Sequence, residues 1–345
     1  MLRRLLAPVH AYGSLLGQAD TTQLKAMTRQ PQPAVSVLIP VFNWDVSRLA
    51  RSLLGEIESA HLENQVEIIL ADDCSTATEI QAANKTLLNA PHAICVRYLE
   101  LKRNLGCAAI RNFLAAQSTG KFLLFLDADV APDNGDFLRR YLGYARANSY
   151  DVVCGGISYT QRILTGPEYD FYVYMSSRAA VHPPAVRNRL PWRWFSTQNI
   201  MVRRTAFEAT PFDQRFTVYG YEDIEWGIRL ARQFRVLHID NPVSHLGLLR
   251  RSRMLEKMRV SIPNYHLLAT LHPGEFAHMR ISPFVRMLRW LPAWVLRGLD
   301  CAAVWALGAL DGMHPLALIL IQFDKAVLLT LAFRRSTNRV SPRIP

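Results

Sequence analysis

The chain has 345 residues, 50% hydrophobic, 20% charged and 10% aromatic, proportions that exclude disordered, collagen-like and low-complexity architectures. The length accommodates one large domain with an appendage, or two domains. Lys and Arg number 40 against 28 Asp and Glu, a net charge of +12. Of these, 14 basic and five acidic residues fall in the last 100 positions, from Leu246 onward, interleaved with Trp, Leu and Phe. That pattern fits an anionic membrane surface better than nucleic acid. Five cysteines, Cys74, Cys95, Cys107, Cys154 and Cys301, stand apart without a CxxC pair, which argues against a disulfide framework or zinc site and fits a reducing cytoplasm.

The first residues, MLRRLLAPVHAYGSLLGQ, are basic and partly apolar, but Pro8, His10 and Gly13 interrupt the run and no small-residue cleavage site follows. Residues 1–33 are therefore expected to form a leader or surface helix and not a signal peptide. After Pro31 and Pro33, the run Val35-Ser-Val-Leu-Ile-Pro-Val41 reads as a buried strand. Val46, Leu49, Ala50, Leu53, Leu54 and Ile57 then recur at helical spacing. Apolar runs predict further strands at 66–71, 94–99, 121–126 and 151–154, alternating with helices near 77–89, 106–118 and 134–148. This alternation predicts an α/β fold, a mostly parallel, Rossmann-like sheet with helices on both faces. Ligands of such sheets bind beyond the carboxyl ends of the strands. The polar residues there are Asn43, Asp72 and Asp73, Lys102 to Asn104, and Asp127 and Asp129.

Phe125-Leu-Asp127-Ala128-Asp129 ends an apolar strand on two carboxylates. They read either as a helix cap beside a solvated acid or as a pair bridged by a divalent cation to a diphosphate, which would offset their desolvation.

Residues 35–129 resemble the nucleotide-sugar-binding half of family 2 glycosyltransferases with the GT-A fold, whose DxD motif corresponds to Asp127-Ala128-Asp129. Residues 216–247 resemble the acceptor side of the β-1,4-galactosyltransferases and bacterial chondroitin-type polymerases, through Tyr219-Gly-Tyr221-Glu222-Asp223-Ile-Glu-Trp226-Gly. The resemblance implies that Asp73, backed by Asp72, accepts a hydrogen bond from a uracil N–H while Pro40, Val41 and Phe42 contact the nucleoside. Asn43, Asn104 and Ala128 complete the expected donor site, and Gly106 lets the backbone approach the donor. Arg111 would face the carboxylates or serve as a structural partner of Asp127. Asp127, Asp129 and His245 would ligate Mn²⁺ or Mg²⁺, an imidazole beside carboxylates suiting Mn²⁺ better. On the acceptor side, Asp223 would be the general base of an inverting transfer and Glu222 would hold an acceptor hydroxyl. Tyr219, Tyr221 and Trp226 would offer aromatic faces to a sugar. Glu222 and Asp223 would equally suit an acidic first helical turn. Gln198 and Asn199 would line the acceptor pocket, where many members of the family carry Gly.

In the tail, Phe284, Leu288, Leu291 and Val295 fall near one helical face, with Arg286, Arg289 and Arg297 mostly elsewhere and Trp290 and Trp294 between, as in a helix at a membrane interface. Apolar stretches at 301–310 and 315–323 are broken by Asp300, Asp311, His314, Asp324 and Lys325, short of the ~20 residues of a span. Peripheral attachment is expected; a soluble helical subdomain is the alternative. The layout expected is a leader (1–33), a nucleotide-sugar half (34–155), an acceptor half (156–250) and a basic amphipathic tail (251–345). The chain is thus identified as a metal-dependent, inverting glycosyltransferase. It would take a UDP-sugar and a glycan or lipid-linked acceptor at the inner face of the cytoplasmic membrane. Two rivals are a basic nucleic-acid-associated protein, for which no nucleic-acid-binding motif is present, and a non-catalytic glycan-binding or scaffold protein.

Overall fold

The computed structural model describes residues 32–89, 92, 94–310 and 313–340; the expected leader lies outside them save for Gln32 and Pro33. The chain divides into two compact units. The first comprises the chain up to Ile163, Ala180–Arg215 and Trp226–Gly247, and the second Leu164–Ala179, Phe216–Glu225 and the chain from Leu248.

The first unit is built on a seven-stranded sheet of order β3-β2-β1-β4-β8-β6-β9. Its strands are β1 (Val35–Val41), β2 (Val66–Asp72), β3 (Val96–Glu100), β4 (Phe122–Leu126), β6 (Val152–Cys154), β8 (Asn199–Arg203) and β9 (Val236–His238). β3, β2, β1 and β4 run parallel, and β8 is antiparallel to both β4 and β6. Every residue of β2 and β4 is buried, as a sheet covered on both faces requires. Alternate residues feed two cores. Val37, Ile39, Leu70 and Leu124 pack with Leu49, Leu53 and Ile57 of helix α1 (Ser47–Ser59) and with Phe137 and Tyr141. Leu38, Ile69 and Phe125 pack with Ile110, Phe113 and Leu114, and with Trp226. Helices α2 (Thr78–Leu88), α3 (Cys107–Gln117) and α4 (Phe137–Ala147) continue the alternation, so the elements expected between 35 and 154 all form, within a few residues of their expected ends.

A second, three-stranded sheet pairs β10 (Val243–His245) with β5 (Val130–Pro132), antiparallel, and with β7 (Ile157–Ser158), parallel. Its register sets His245 opposite Val130, one residue beyond Asp129. Three-residue strands carry no periodicity, so nothing in the sequence announces them.

The second unit is helical beyond Leu248: Arg251–Val260, Ile262–Leu271, Pro273–Ala277, Ser282–Leu288, Ala293–Ala309 and His314–Val340. Its core gathers Phe171, Met254, Met258, Leu307, Ala317 and Ile321. Two expectations for the tail are corrected. The segment 283–298 is not one amphipathic helix: it breaks before Pro292 into Ser282–Leu288 and Ala293–Ala309, because proline disfavours helix at the preceding residue. Leu288, expected at an interfacial face, is buried, whereas Phe284, Met287, Trp290 and Trp294 are exposed. Nor do Asp324 and Lys325 end the last apolar stretch. Asp324 is fully buried and its carboxylate accepts a hydrogen bond from Arg259 at 2.8 Å. With that charge compensated the helix continues, and His314–Ser336 is long and apolar enough to cross a membrane by length and composition.

Candidate active site

Adjacent parallel strands β2, β1 and β4 deliver their carboxyl ends side by side, placing Asp72-Asp73, Phe42-Asn43 and Asp127-Ala128-Asp129 at one edge of the first unit. The first of these residues hold loops. Asp72 is completely buried, accepting hydrogen bonds from the Ser75 amide at 2.7 Å and the Tyr98 hydroxyl at 2.8 Å. Asn43 accepts from the Thr76 and Ala77 amides, each at 2.8 Å. Asp72 is therefore spent inside the fold, a correction to its expected donor contact, while Asn43 is half-buried and holds the loop at Thr76 and Ala77. Val41 is buried and Phe42 half-exposed, leaving the phenyl ring as the accessible face.

Asp73 accepts the amides of Leu105 at 2.6 Å and Gly106 at 3.0 Å, and Asn104 donates to its carbonyl at 2.9 Å. Burial raises its carboxyl above the ordinary range; the two amides oppose that, and Asp72 adds to it. Asp73 thus locks the end of β2 to the loop entering α3.

Arg111, on α3, donates to Asp127 at 2.7 Å and to the Cys107 carbonyl at 2.9 Å, a contact that fits both expected readings of it. Burial raises the Asp127 carboxyl, Arg111 pulls it down and Asp129 pushes it up. Asp129 turns the other way, to His245 Nε2 at 3.1 Å, while its carbonyl accepts the Leu246 amide at 2.8 Å. Gly247 is required beside it, since a Cβ there would lie 2.1 Å from Asp129 Oδ2. Asp127, Asp129 and His245 therefore divide into two pairs. Among the described residues no group of three or more His, Cys, Asp or Glu side chains is arranged as a metal site.

Two acceptor-side expectations fail on burial. Trp226 is fully buried, its indole N–H donates to the Thr210 carbonyl at 2.7 Å, and it packs on Phe125, Phe207 and Phe212; it is core. Asn199 is buried and committed to the Tyr141 hydroxyl at 2.6 Å and to the carbonyls of Gly156 at 2.9 Å and Asn241 at 2.8 Å. Gln198 remains partly accessible.

Sequence reasoning missed Arg187. Buried, it donates to the carbonyls of Cys154, Gly155 and Ile239 and faces His238 Nδ1 at 3.0 Å. Burial and this cation push His238 down to about 4, so the imidazole stays neutral at the end of β9. The partners lie 32 to 52 residues away, beyond any local signal.

Within the second unit, Glu222 and Asp223 open the helix Glu222–Gln233, an acidic first turn favoured by the helix dipole. The Ile224 amide donates to Asp223 Oδ1 at 2.8 Å, and Glu222 is buried. Tyr221 stacks on Tyr265, which occupies one ring face. Tyr219 is half-exposed, with Lys257 Nζ 4.7 Å from its ring centre, and is the accessible aromatic of this segment.

The parallel sheet with acidic strand ends and an antiparallel β8 defines an α/β protein of the GT-A class. Among solved structures it is similar to PcManGT, a mannosyltransferase from Pyrobaculum calidifontis in complex with GDP-Man and Mn²⁺, with TM-score 0.54 and 15% identity over 91% of this chain and 94% of that one. Similarity to S. aureus TarS has TM-score 0.50 and 17% identity, covering 86% of this chain and 54% of that one. Residues 36–206 match the family described as glycosyl transferase family 2. It is 26% identical to validoxylamine A glucosyltransferase of Streptomyces hygroscopicus subsp. limoneus, over 57% of this chain and 48% of that protein. It is 24% identical to glycosyltransferase AglE of Haloferax volcanii, over 56% and 60%. The chain spans less than two thirds of the length of the curated relatives it matches.

Proposed function

We propose that the chain is an inverting glycosyltransferase that moves a sugar from a nucleotide-diphosphate donor, read as a UDP-sugar, to a hydroxyl of a glycan or lipid-linked acceptor. The observation that carries this reading is the meeting of Asp129 with His245, 116 residues apart in sequence, beside Asp127 at the carboxyl end of the parallel strands. Asp129 and His245 fit a divalent cation, Mn²⁺ or Mg²⁺. Their donor atoms lie 3.1 Å apart, close to the ~3 Å between neighbouring ligands of an octahedral ion with bonds of about 2.1 Å. When bound, such an ion supplies positive charge against a diphosphate. Asp127 is the further carboxylate at hand, and its pairing with Arg111 orients it. Phe42 offers a ring for the base, and Asp73 holds the loop before α3 in place.

Asp223 is proposed as the proton acceptor from the acceptor hydroxyl, with Tyr219 as a sugar-facing ring. The second unit is proposed to rest on an anionic membrane surface through its exposed aromatics, at the inner face. The experiment is transfer from a panel of UDP- and GDP-sugars to soluble acceptors, with and without EDTA, on the full chain. Cation-dependent turnover with one donor is expected, falling ~10²-fold or more in Asp223→Asn with donor affinity unchanged. Undiminished turnover in EDTA would refute the cation. Loss of donor affinity in Asp223→Asn would refute the base.

A further inference from the structure

Within the second unit, the turn that carries Asp223 is gripped from one helix. Asn264, in the helix Ile262–Leu271, is only 2% exposed, yet its amide nitrogen leaves the apolar packing to donate to the carbonyls of Val218 at 2.6 Å and Gly220 at 2.8 Å. Its neighbour Tyr265 stacks on Tyr221, ring centres 4.1 Å apart and planes 13° apart. His272, following the same helix, meets the Glu225 carboxylate at 3.1 Å, with both side chains buried. The grip therefore falls on residues 218, 220, 221 and 225, and Asp223 lies inside it.

The turn needs restraint. Tyr221 has φ +71° and Gly220 φ +91°; a bulky residue in the left-handed region is strained and persists only where its surroundings over-determine it. The helix does not need these contacts for its own place, since Ile262, Leu268 and Ala269 are buried along it. Two buried polar side chains and one ring stack are thus committed to a single turn.

We propose that Asn264, Tyr265 and His272 are positioning residues that set the backbone of Gly220–Glu225 and, through it, the carboxylate of Asp223. The proposal rests on reading Asp223 as the proton acceptor. A base must lie within hydrogen-bond reach of the proton it takes, and a misplacement of about 1 Å costs up to ~10²-fold.

The test is a double-mutant cycle on the full chain, with kcat, donor KM and thermal unfolding measured for each variant. Asn264→Leu keeps shape and removes both donors; Tyr265→Leu removes the stack, and Tyr265→Phe restores it. In the wild-type background, Asn264→Leu and Tyr265→Leu should each lower kcat about tenfold or more at unchanged donor KM, with Tyr265→Phe recovering the rate. In the Asp223→Asn background the same substitutions should cost nothing further, because there is no base left to misplace. Equal losses in both backgrounds, or full kcat in the wild-type background, would overturn the positioning role while leaving Asp223 as the base. Full activity of Asp223→Asn would overturn the underlying assignment and the inference with it. Should Asn264→Leu fail to fold, the Tyr265 pair reads the same cycle.

Discussion

A single methyl group at position 247 would displace Asp129. Gly247→Ala puts a Cβ 2.1 Å from Asp129 Oδ2, so the carboxylate must shift from its place beside His245. Cation-dependent nucleotide binding, followed by titration with Mn²⁺ present, should therefore weaken strongly, while the unfolding midpoint changes little. Retained binding would mean that Asp129 is not a ligand. Trp226 gives the opposite signature. Buried among Phe125, Phe207 and Phe212 with its N–H satisfied, it should cost ~3–5 kcal/mol when replaced by Ala, read by denaturant unfolding. Loss of acceptor affinity at full stability would contradict its core role. The two residues also show what a sequence conveys about a site. Asp127 and Asp129 were legible because carboxylates at the end of an apolar strand demand a partner. Trp226 was misread because an aromatic beside an acidic motif suits a sugar face and a core equally, and only its neighbours from three other segments decide.

Elements divide in the same way. The strands and helices from Val35 to Cys154 were legible because continuous apolar runs alternate there with segments of period 3.6, whereas β5, β7 and β10 are two or three residues long and exist by pairing alone. The helix His314–Val340 was read as interrupted because Asp324 and Lys325 look like an end, and their environment reverses that. Burial pushes the Asp324 carboxyl up to about 7, Asp300 adding to the rise and Arg259 opposing it, and burial brings Lys325 down to about 8. The signs are opposite by linkage. Between the ordinary carboxylate range and pH 7 the folded state holds a proton on Asp324 that the unfolded chain has lost, so stability falls as pH rises. Between pH 8 and the ordinary lysine range the unfolded chain holds a proton that folded Lys325 has lost, so stability rises. Near pH 7–8 both groups are charged, and these two contributions have their minimum there. Thermal unfolding across pH should show that Asp324→Asn flattens the acid side and Lys325→Met the alkaline side. Unchanged slopes in both variants would contradict the buried environment.

At the scale of the whole molecule, the surface of the second unit settles how attachment should be tested. Removing residues 283–345 would be a poor probe, because Val285, Leu288, Leu296 and Ile321 are buried within that unit and their former neighbours would be left as exposed apolar surface that aggregates. The exposed side chains are the better handle. Trp290, Trp294 and Trp305 are 77%, 72% and 79% exposed, whereas Trp is highly buried on average in folded proteins. Arg286, Arg289 and Arg297 are exposed beside the first two, and the Arg289 guanidinium lies 4.6 Å from the Trp290 ring centre. Indole at the headgroup level with arginine among anionic phosphates is the arrangement of an interfacial helix, each Arg contributing about 1 kcal/mol near the surface. Replacing the three Trp by Ser should leave the fold intact, since none of them is core, and should release the protein from anionic vesicles in co-sedimentation. Replacing the three Arg by Gln should weaken binding at low salt and matter less at high salt, where screening has already removed their share. Wild-type binding that survives both sets of substitutions would place the contact elsewhere. A shift of the wild-type chain to a dimer, lost in the Trp variant and unaccompanied by vesicle binding, would assign the same surface to a second copy of the chain.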